Sequence, residues 1–287
     1  MPVFNCDNSL FDFIKNVKLQ IVPNEIDCDI YDREFLYAVC ECICNILDYS
    51  QIKLDKDFLK LLSDAEKNER KLRIYRGKFE KISNSLRNFI KRFETDGHFN
   101  VNWLIKVLAY EYAPLAGMKA IACGGYSNED IANKVNGYIT LYNSAVESGK
   151  TYDSYSQILW QGYSEYNLTR AYEQLYNVGH SAECLQKMEE CSIASMNTRS
   201  EWCDGFSFPG IFSTALSFEY FLVCLYELKM RYTYKEYTND SPAEIMDDLA
   251  TLKNKLKQYC ENTEFTRLYD MYQSIEKLAE RISSCTD

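Results

Sequence analysis

Apolar side chains recur every three or four positions between residues 160 and 202, on both sides of a short polar segment at residues 177–180. The matching residues are Tyr163, Tyr166, Ala171 and Leu175 before that segment, and Ala182, Leu185 and Met188 after it. Because a helix has about 3.6 residues per turn, each run places its apolar side chains on one face. This stretch therefore predicts two helices with matched apolar faces, joined by a turn.

The same spacing continues through most of the chain. It predicts further helices at residues 32–47, 67–93, 127–149, 241–259 and 268–282, of which the last two should pack as an antiparallel hairpin. No segment shows the sustained alternation of a strand. With only 5 Pro and 11 Gly in 287 residues, the elements must be long. We therefore expect an all-α fold of antiparallel helical hairpins, either a repeat array or a bundle.

Several residues mark where helices begin and end. Ser127 with Asp130, and Ser241 with Glu244, are typical of capped helix starts. Pro114 has no backbone N–H, so we expect it to interrupt the apolar segment that precedes it. These signals give the predicted helices defined limits.

The expected domain boundary lies at residues 149–153, where glycine and polar residues follow a predicted helix. A chain of 287 residues is long enough for one large domain or two ordinary ones. We predict an N-terminal helical region, residues 1–150, and a C-terminal region of helical hairpins, residues 151–287.

The helix at residues 67–93 is predicted to be amphipathic, with a strongly basic polar side. Ten basic and two acidic residues between positions 67 and 92 give a local charge of +8 in a chain of net charge -10. We call the ten basic residues the basic face: Lys67, Arg70, Lys71, Arg73, Arg76, Lys78, Lys81, Arg87, Lys91 and Arg92. Such a face either docks on an acidic surface of this chain or of a second copy, or binds nucleic-acid phosphates. For a nucleic acid, the candidate contacts are Arg73, Arg76, Arg87 and Lys91.

The sequence also bears on compartment and cofactors. Residues 1–10 lack the order of a secretory signal, and Glu219 interrupts the apolar run at residues 211–226. We therefore expect a cytoplasmic protein that does not enter membranes.

No C-x-x-C pair is present, and His98 and His180 are the two histidines. This pattern predicts neither a metal nor a cofactor.

The segment from Trp160 to Met188 resembles the tetratricopeptide (TPR) pattern over about one repeat. The matching residues are Trp160, Gly162, Tyr163, Asn167, Leu168, Ala171 and Tyr172, followed by Ala182 and Met188. TPR-like arrays present a concave surface that binds a peptide or protein segment, so the resemblance implies a regulatory binding module rather than an enzyme. Its partner-binding residues would be Tyr163, Asn167, Arg170 and Tyr172.

An alternative function rests on Arg92 and His98. Their R-x5-H spacing resembles the R-x4-6-H signature of the HEPN helical ribonucleases, in which Arg and His act on the scissile phosphate and the 2′-hydroxyl. Histidine exchanges protons near neutral pH, and arginine stabilises negative charge that develops at phosphorus. The resemblance implies a metal-independent ribonuclease with Arg92 and His98 as catalytic residues.

A second alternative rests on residues 125–135, which resemble the first helix of a helix-turn-helix. In that motif, the pair Ile131 and Ala132 would pack under a recognition helix at residues 138–145. That segment contains no Lys or Arg to reach base edges. The resemblance implies a regulator that binds nucleic acid.

Overall fold

The computed structural model of the chain describes residues 30–54, 56–95, 103–149, 154–205, 211–234, 240–260 and 266–284. These residues form ten α-helices and no strand, which confirms the expected all-α fold. The helices are α1 (Ile30–Leu54), α2 (Lys56–Ser63), α3 (Ala65–Thr95), α4 (Trp103–Ala122), α5 (Asn128–Gly149), α6 (Ser154–Gly179), α7 (Ala182–Gly205), α8 (Ile211–Thr233), α9 (Pro242–Cys260) and α10 (Thr266–Ser284).

The chain divides into two compact units, Met1–Ser181 and Ala182–Asp287. Helices α1 to α6 belong to the first unit, and α7 to α10 belong to the second. The two helices of the TPR-like segment, α6 and α7, thus lie in different units. The boundary expected at residues 149–153 falls mainly on residues that the structure does not describe, and it stays a prediction.

Helix α4 is the centre of the first unit, where it packs against α1, α3, α5 and α6. The hydroxyl of Ser83 in α3 donates a hydrogen bond to the carbonyl oxygen of Ala113, at 2.7 Å, and fixes α3 against α4. The expectation that Pro114 interrupts this segment is wrong, because α4 runs through it to Ala122. The stability that α4 gains from burial on several sides is larger than the stability lost with the one backbone hydrogen bond that proline removes.

Aromatic rings from four helices form the interior of this unit. The ring of Tyr49 in α1 lies 6.0 Å from Phe79 in α3 and 5.1 Å from Tyr112 in α4, both edge-on. Phe58 of α2 lies 5.4 Å from Phe79. Tyr49, Phe58 and Phe79 are each at most 2% exposed. Edge-on ring pairs at these distances add stability beyond the area that they bury.

Both predicted capped starts are present. The backbone N–H of Asp130 donates to Ser127 Oγ at 3.1 Å, and that of Glu244 donates to Ser241 Oγ at 3.2 Å. In each case, the acidic side chain accepts a hydrogen bond from the serine backbone N–H in return. These reciprocal bonds satisfy N–H groups that have no partner inside a helix.

In the second unit, α8 packs against α7, α9 and α10, and α9 packs against α10 as predicted. The interior of this unit is mostly aliphatic, with Leu249, Leu256, Ile275 and Ile282 almost fully buried, and it includes the ring of Phe221. These residues recur at the helical spacing that predicted the hairpin, so the apolar stripes of α9 and α10 meet as expected.

Candidate functional site

The basic face of α3 is exposed along its length. Nine of its ten residues are exposed, and Arg76 is half-buried. The opposite side of the helix buries Leu72, Phe79, Ile82, Ser83, Leu86, Phe89 and Ile90. Among the described residues, Lys67 is the one member in an ion pair, with Asp64 at 2.8 Å. The described part of the chain therefore supplies no acidic surface that covers this face.

One apolar side chain lies within the basic face. Ile74 is 58% exposed, and with Ile193 it makes up the exposed large hydrophobic residues of the described chain. Arg70, Lys71 and Lys78 are its neighbours one turn away on the helix surface. The basic face thus combines an apolar centre with a cationic surround.

The four predicted nucleic-acid contacts differ in their environment. Arg73, Arg87 and Lys91 are exposed. Arg76 instead donates a hydrogen bond from Nη1 to the carbonyl oxygen of Gly124, at 2.8 Å, and its guanidinium lies 5.6 Å from the ring of Tyr126. Arg76 therefore holds the turn between α4 and α5.

The predicted partner-binding residues lie on α6 and are mostly covered. Asn167 is 4% exposed, and its Nδ2 donates to the carbonyl oxygen of Tyr163 at 3.0 Å. Tyr163 is half-buried and accepts a hydrogen bond from Lys53 Nζ at 3.5 Å. Arg170 is exposed on the same side, whereas Tyr172 is half-buried on the opposite side of the helix. Burial makes Asn167 inaccessible to a partner in this arrangement.

Arg92, the arginine of the ribonuclease alternative, lines a cavity of about 460 Å³ between α1 and α3. The other lining residues are Ala38, Glu41, Cys42, Ser85, Asn88, Phe89, Lys91 and Thr95. His98 lies outside the described residues. Its pairing with Arg92 stays a prediction.

The segment of the helix-turn-helix alternative lies in one helix. Helix α5 runs unbroken from Asn128 to Gly149, so residues 138–145 continue the helix that residues 128–135 begin. A helix-turn-helix needs a turn between its two helices. The capped start at Ser127 accounts for the sequence pattern at this position without a second helix.

A group of buried polar side chains that no local sequence pattern predicts lies inside the first unit. Glu111 and Tyr49 are 0% exposed, and Tyr142 is 1% exposed. Burial, together with the nearby carboxylate of Glu111, raises the pKa of both phenols. The positive charge of Arg170 acts to lower the pKa of both phenols. These residues come from α1, α4, α5 and α6, so only the folded chain brings them together.

Searches against protein-family models, curated proteins and solved structures give no match to this chain. Within the described residues, no group of three or more His, Cys, Asp or Glu side chains is arranged to hold a metal ion. Likewise, none of the described helices combines the length and apolarity needed to cross a membrane.

Proposed function

We propose that this protein is a binding module whose basic face docks an acidic, helical segment of a partner protein. The observation that carries the proposal is the exposure of nine of the ten basic residues with no described acidic surface against them. Concentrated charge of one sign attracts a partner of the other sign and speeds its association.

Ile74 favours a protein partner over a nucleic acid. Protein interfaces commonly place an apolar side chain at the centre of a polar, arginine-containing rim. Ile74, surrounded by Arg70, Lys71 and Lys78, has this arrangement. Phosphate groups make no use of an aliphatic side chain, whereas an acidic amphipathic helix can cover one.

The charge of the whole first unit supports the same choice. Residues 1–181 contain 21 Lys and Arg against 24 Asp and Glu, a net charge of -3. A nucleic acid long enough to extend beyond α3 would therefore meet the net negative charge of the rest of this unit. The 31 residues of α3 span roughly 46 Å. A segment of about that length stays within the basic face.

The proposal is tested with a fluorescent helical peptide of glutamates that carries one leucine per heptad. Arg73→Glu with Lys81→Glu reverses two exposed charges of the basic face. Lys257→Glu with Lys277→Glu is the matched control, since it makes the same charge change at exposed sites of the second unit. By fluorescence anisotropy, we expect the first variant to bind about tenfold more weakly or worse, and the control to bind like the wild type.

Two results would contradict the proposal. Equal affinity of both double variants for the peptide would show that the basic face does not bind it. Tighter binding of a single-stranded RNA than of the peptide, lost in the first variant only, would assign the basic face to nucleic acid instead.

A further inference from the structure

Helix α7 of the second unit exposes an acidic side that contains one apolar side chain. We call four of its exposed residues the acidic face: Glu183, Glu189, Glu190 and Ile193. Their spacing in the sequence places them on one side of the helix. Ile193 is 43% exposed, and Ile74 in the basic face is 58% exposed. The two exposed large hydrophobic residues of the described chain thus lie in two faces of opposite charge.

The charges around the two isoleucines are arranged alike. On each helix, two residues of like charge precede the isoleucine by four and by three positions. These pairs are Arg70 with Lys71 on α3, and Glu189 with Glu190 on α7. Residues three or four apart are neighbours on a helix surface. The acidic face therefore matches the basic face in its apolar centre and opposes it in charge.

The charged side chains of both faces are accessible. Arg70, Lys71 and Glu189 form no hydrogen bond or ion pair within the described chain. Glu190 accepts a hydrogen bond from Lys187 Nζ at 2.6 Å, and both side chains are more than 40% exposed. Exposed pairs of this kind contribute little stability, so Glu190 can exchange its partner at low cost.

The distribution of charge favours contact between copies of this chain. Residues 182–287 contain 11 Lys and Arg against 18 Asp and Glu, a net charge of -7, so the second unit is more acidic than the first. The basic face of one copy is therefore attracted to the second unit of another copy.

Gly77 leaves a recess beside Ile74 on the exposed side of α3. It follows Ile74 by three positions, and a Cβ at Gly77 would meet nothing within 4 Å. Alanine is the better helix former at an exposed position of this kind. A glycine here removes the side chain that would hold a second helix away from Ile74. The recess can take an apolar side chain of a docked helix.

We propose that the acidic face of one copy docks on the basic face of a second copy of this chain. This inference rests on the docking function proposed for the basic face, and it names the partner. Ile193 of one copy lies beside Ile74 of the other, and the glutamates lie about one turn away. In either direction of the docked helix they meet basic neighbours of Ile74: Arg70 and Lys71 before it, or Lys78 after it.

The test is sedimentation equilibrium of the full chain over a range of concentrations at low salt. We expect the wild type to associate as its concentration rises, and added salt to weaken this association. Arg70→Glu with Lys71→Glu reverses the basic face, and Glu189→Lys with Glu190→Lys reverses the acidic face. Each double variant should associate about tenfold more weakly or worse. The acidic-face variant has less net charge than the wild type, so general repulsion does not explain its loss.

An equimolar mixture of the two double variants should associate again. One variant contributes an intact acidic face, and the other contributes an intact basic face. All four substitutions in one chain should also restore self-association, because the charges of both faces are then exchanged. Lys257→Glu with Lys277→Glu is the matched control, since it makes the charge change of the basic-face variant at exposed sites outside both faces. It should associate like the wild type.

Ile193→Ser separates this inference from the function proposed for the basic face. The acidic peptide takes the place of α7, so this variant should bind the peptide like the wild type at concentrations too low for self-association. Its self-association should weaken about fivefold or more. Equal association of the wild type and the double variants, or no recovery in the mixture, would overturn the inference.

The outcomes also distinguish failure of the inference from failure of the proposed function. A wild type that stays monomeric at every concentration but binds the peptide through the basic face would overturn the inference alone. A wild type that stays monomeric and does not bind the peptide would overturn both.

Discussion

Arg76 of α3 donates a hydrogen bond from Nη1 to the carbonyl oxygen of Gly124, 2.8 Å away, and so ties the basic helix to the turn between α4 and α5. Gly124 and Gly125 in this turn have φ angles of 79° and 85°. A Cβ at Gly125 would overlap Arg76 Nη1, whereas a Cβ at Gly124 would meet open space. Glycine at position 125 is therefore needed for two reasons, its left-handed backbone and its closeness to Arg76.

We expect Gly125→Ala to destabilise the protein more than Gly124→Ala. Both substitutions place alanine in a left-handed conformation, which costs about 1–2 kcal/mol. Alanine at position 125 also displaces the side chain of Arg76, and the lost hydrogen bond adds about 1 kcal/mol. The free energy of unfolding in urea, followed by circular dichroism, measures the difference.

Gly77→Ala is the control for this comparison. Gly77 lies inside α3, and a Cβ there meets nothing within 4 Å. Alanine should therefore stabilise the protein by roughly 0.5–1 kcal/mol. Equal losses of stability in Gly124→Ala and Gly125→Ala would contradict the role given to Arg76 in the turn.

Gly117→Ala is expected to weaken the contact between α4 and α5. A Cβ at Gly117 would overlap the ring of Tyr138, which is 3% exposed. Because the ring is buried, it must shift against its neighbours or the two helices must separate slightly. Overpacking of this kind costs about 1–3 kcal/mol, which thermal or urea unfolding would detect.

A second substitution separates this steric effect from the helix propensity of alanine. Tyr138→Leu shortens the side chain that the new Cβ would meet. The double variant Gly117→Ala with Tyr138→Leu should therefore lose less stability than the sum of the losses in the two single variants. Strict additivity of the two changes would show that residues 117 and 138 do not clash.

The carboxyl group of Glu227 in α8 couples the stability of the second unit to pH. Burial raises its pKa to about 7, although Arg231 acts in the opposite direction. Arg231 Nε lies 3.7 Å from Glu227 but 2.8 Å from Asp240, and Nη1 lies 2.7 Å from Asp248. The guanidinium is thus engaged mainly by the two aspartates, and burial decides the protonation of Glu227.

Because this pKa lies above the ordinary value of 4.5, the folded chain binds more protons than the unfolded chain between these pH values. The stability that Glu227 contributes is fully present below pH 4.5 and is lost as the pH rises through 7. Relative to wild type, Glu227→Gln should gain roughly 1–3 kcal/mol between about pH 5 and about pH 8. Urea unfolding at both pH values measures this gain. A stability difference that stays constant with pH would contradict it.

Helix positions were predictable because their signals are local. Ser127 with Asp130, and Ser241 with Glu244, lie three residues apart, so each cap can be recognised within a few positions. The buried residues of α3 also follow the spacing of three and four that is visible in the sequence. The prediction that Pro114 interrupts a helix was wrong because a local rule says nothing about the helices that surround α4.

The features that depend on tertiary packing were not predictable in this way. The covering of Asn167, and the division of the chain after Ser181, depend on which helices pack together. Tyr49, Glu111 and Tyr142 are far apart in sequence and lie on three different helices. Their burial in one unit, like the exposure of the basic face, is a property of the folded chain.

The binding of the acidic peptide by Ile74→Ser tests the proposed docking surface. Ile193→Ser is the matched control, since Ile193 is 43% exposed and lies in the second unit, and Ile74 is 58% exposed. By fluorescence anisotropy, Ile74→Ser should weaken peptide binding about fivefold or more, because roughly 1 kcal/mol of apolar burial is lost. Ile193→Ser should bind like the wild type. Undiminished peptide binding by Ile74→Ser would contradict docking of an acidic helix on the basic face.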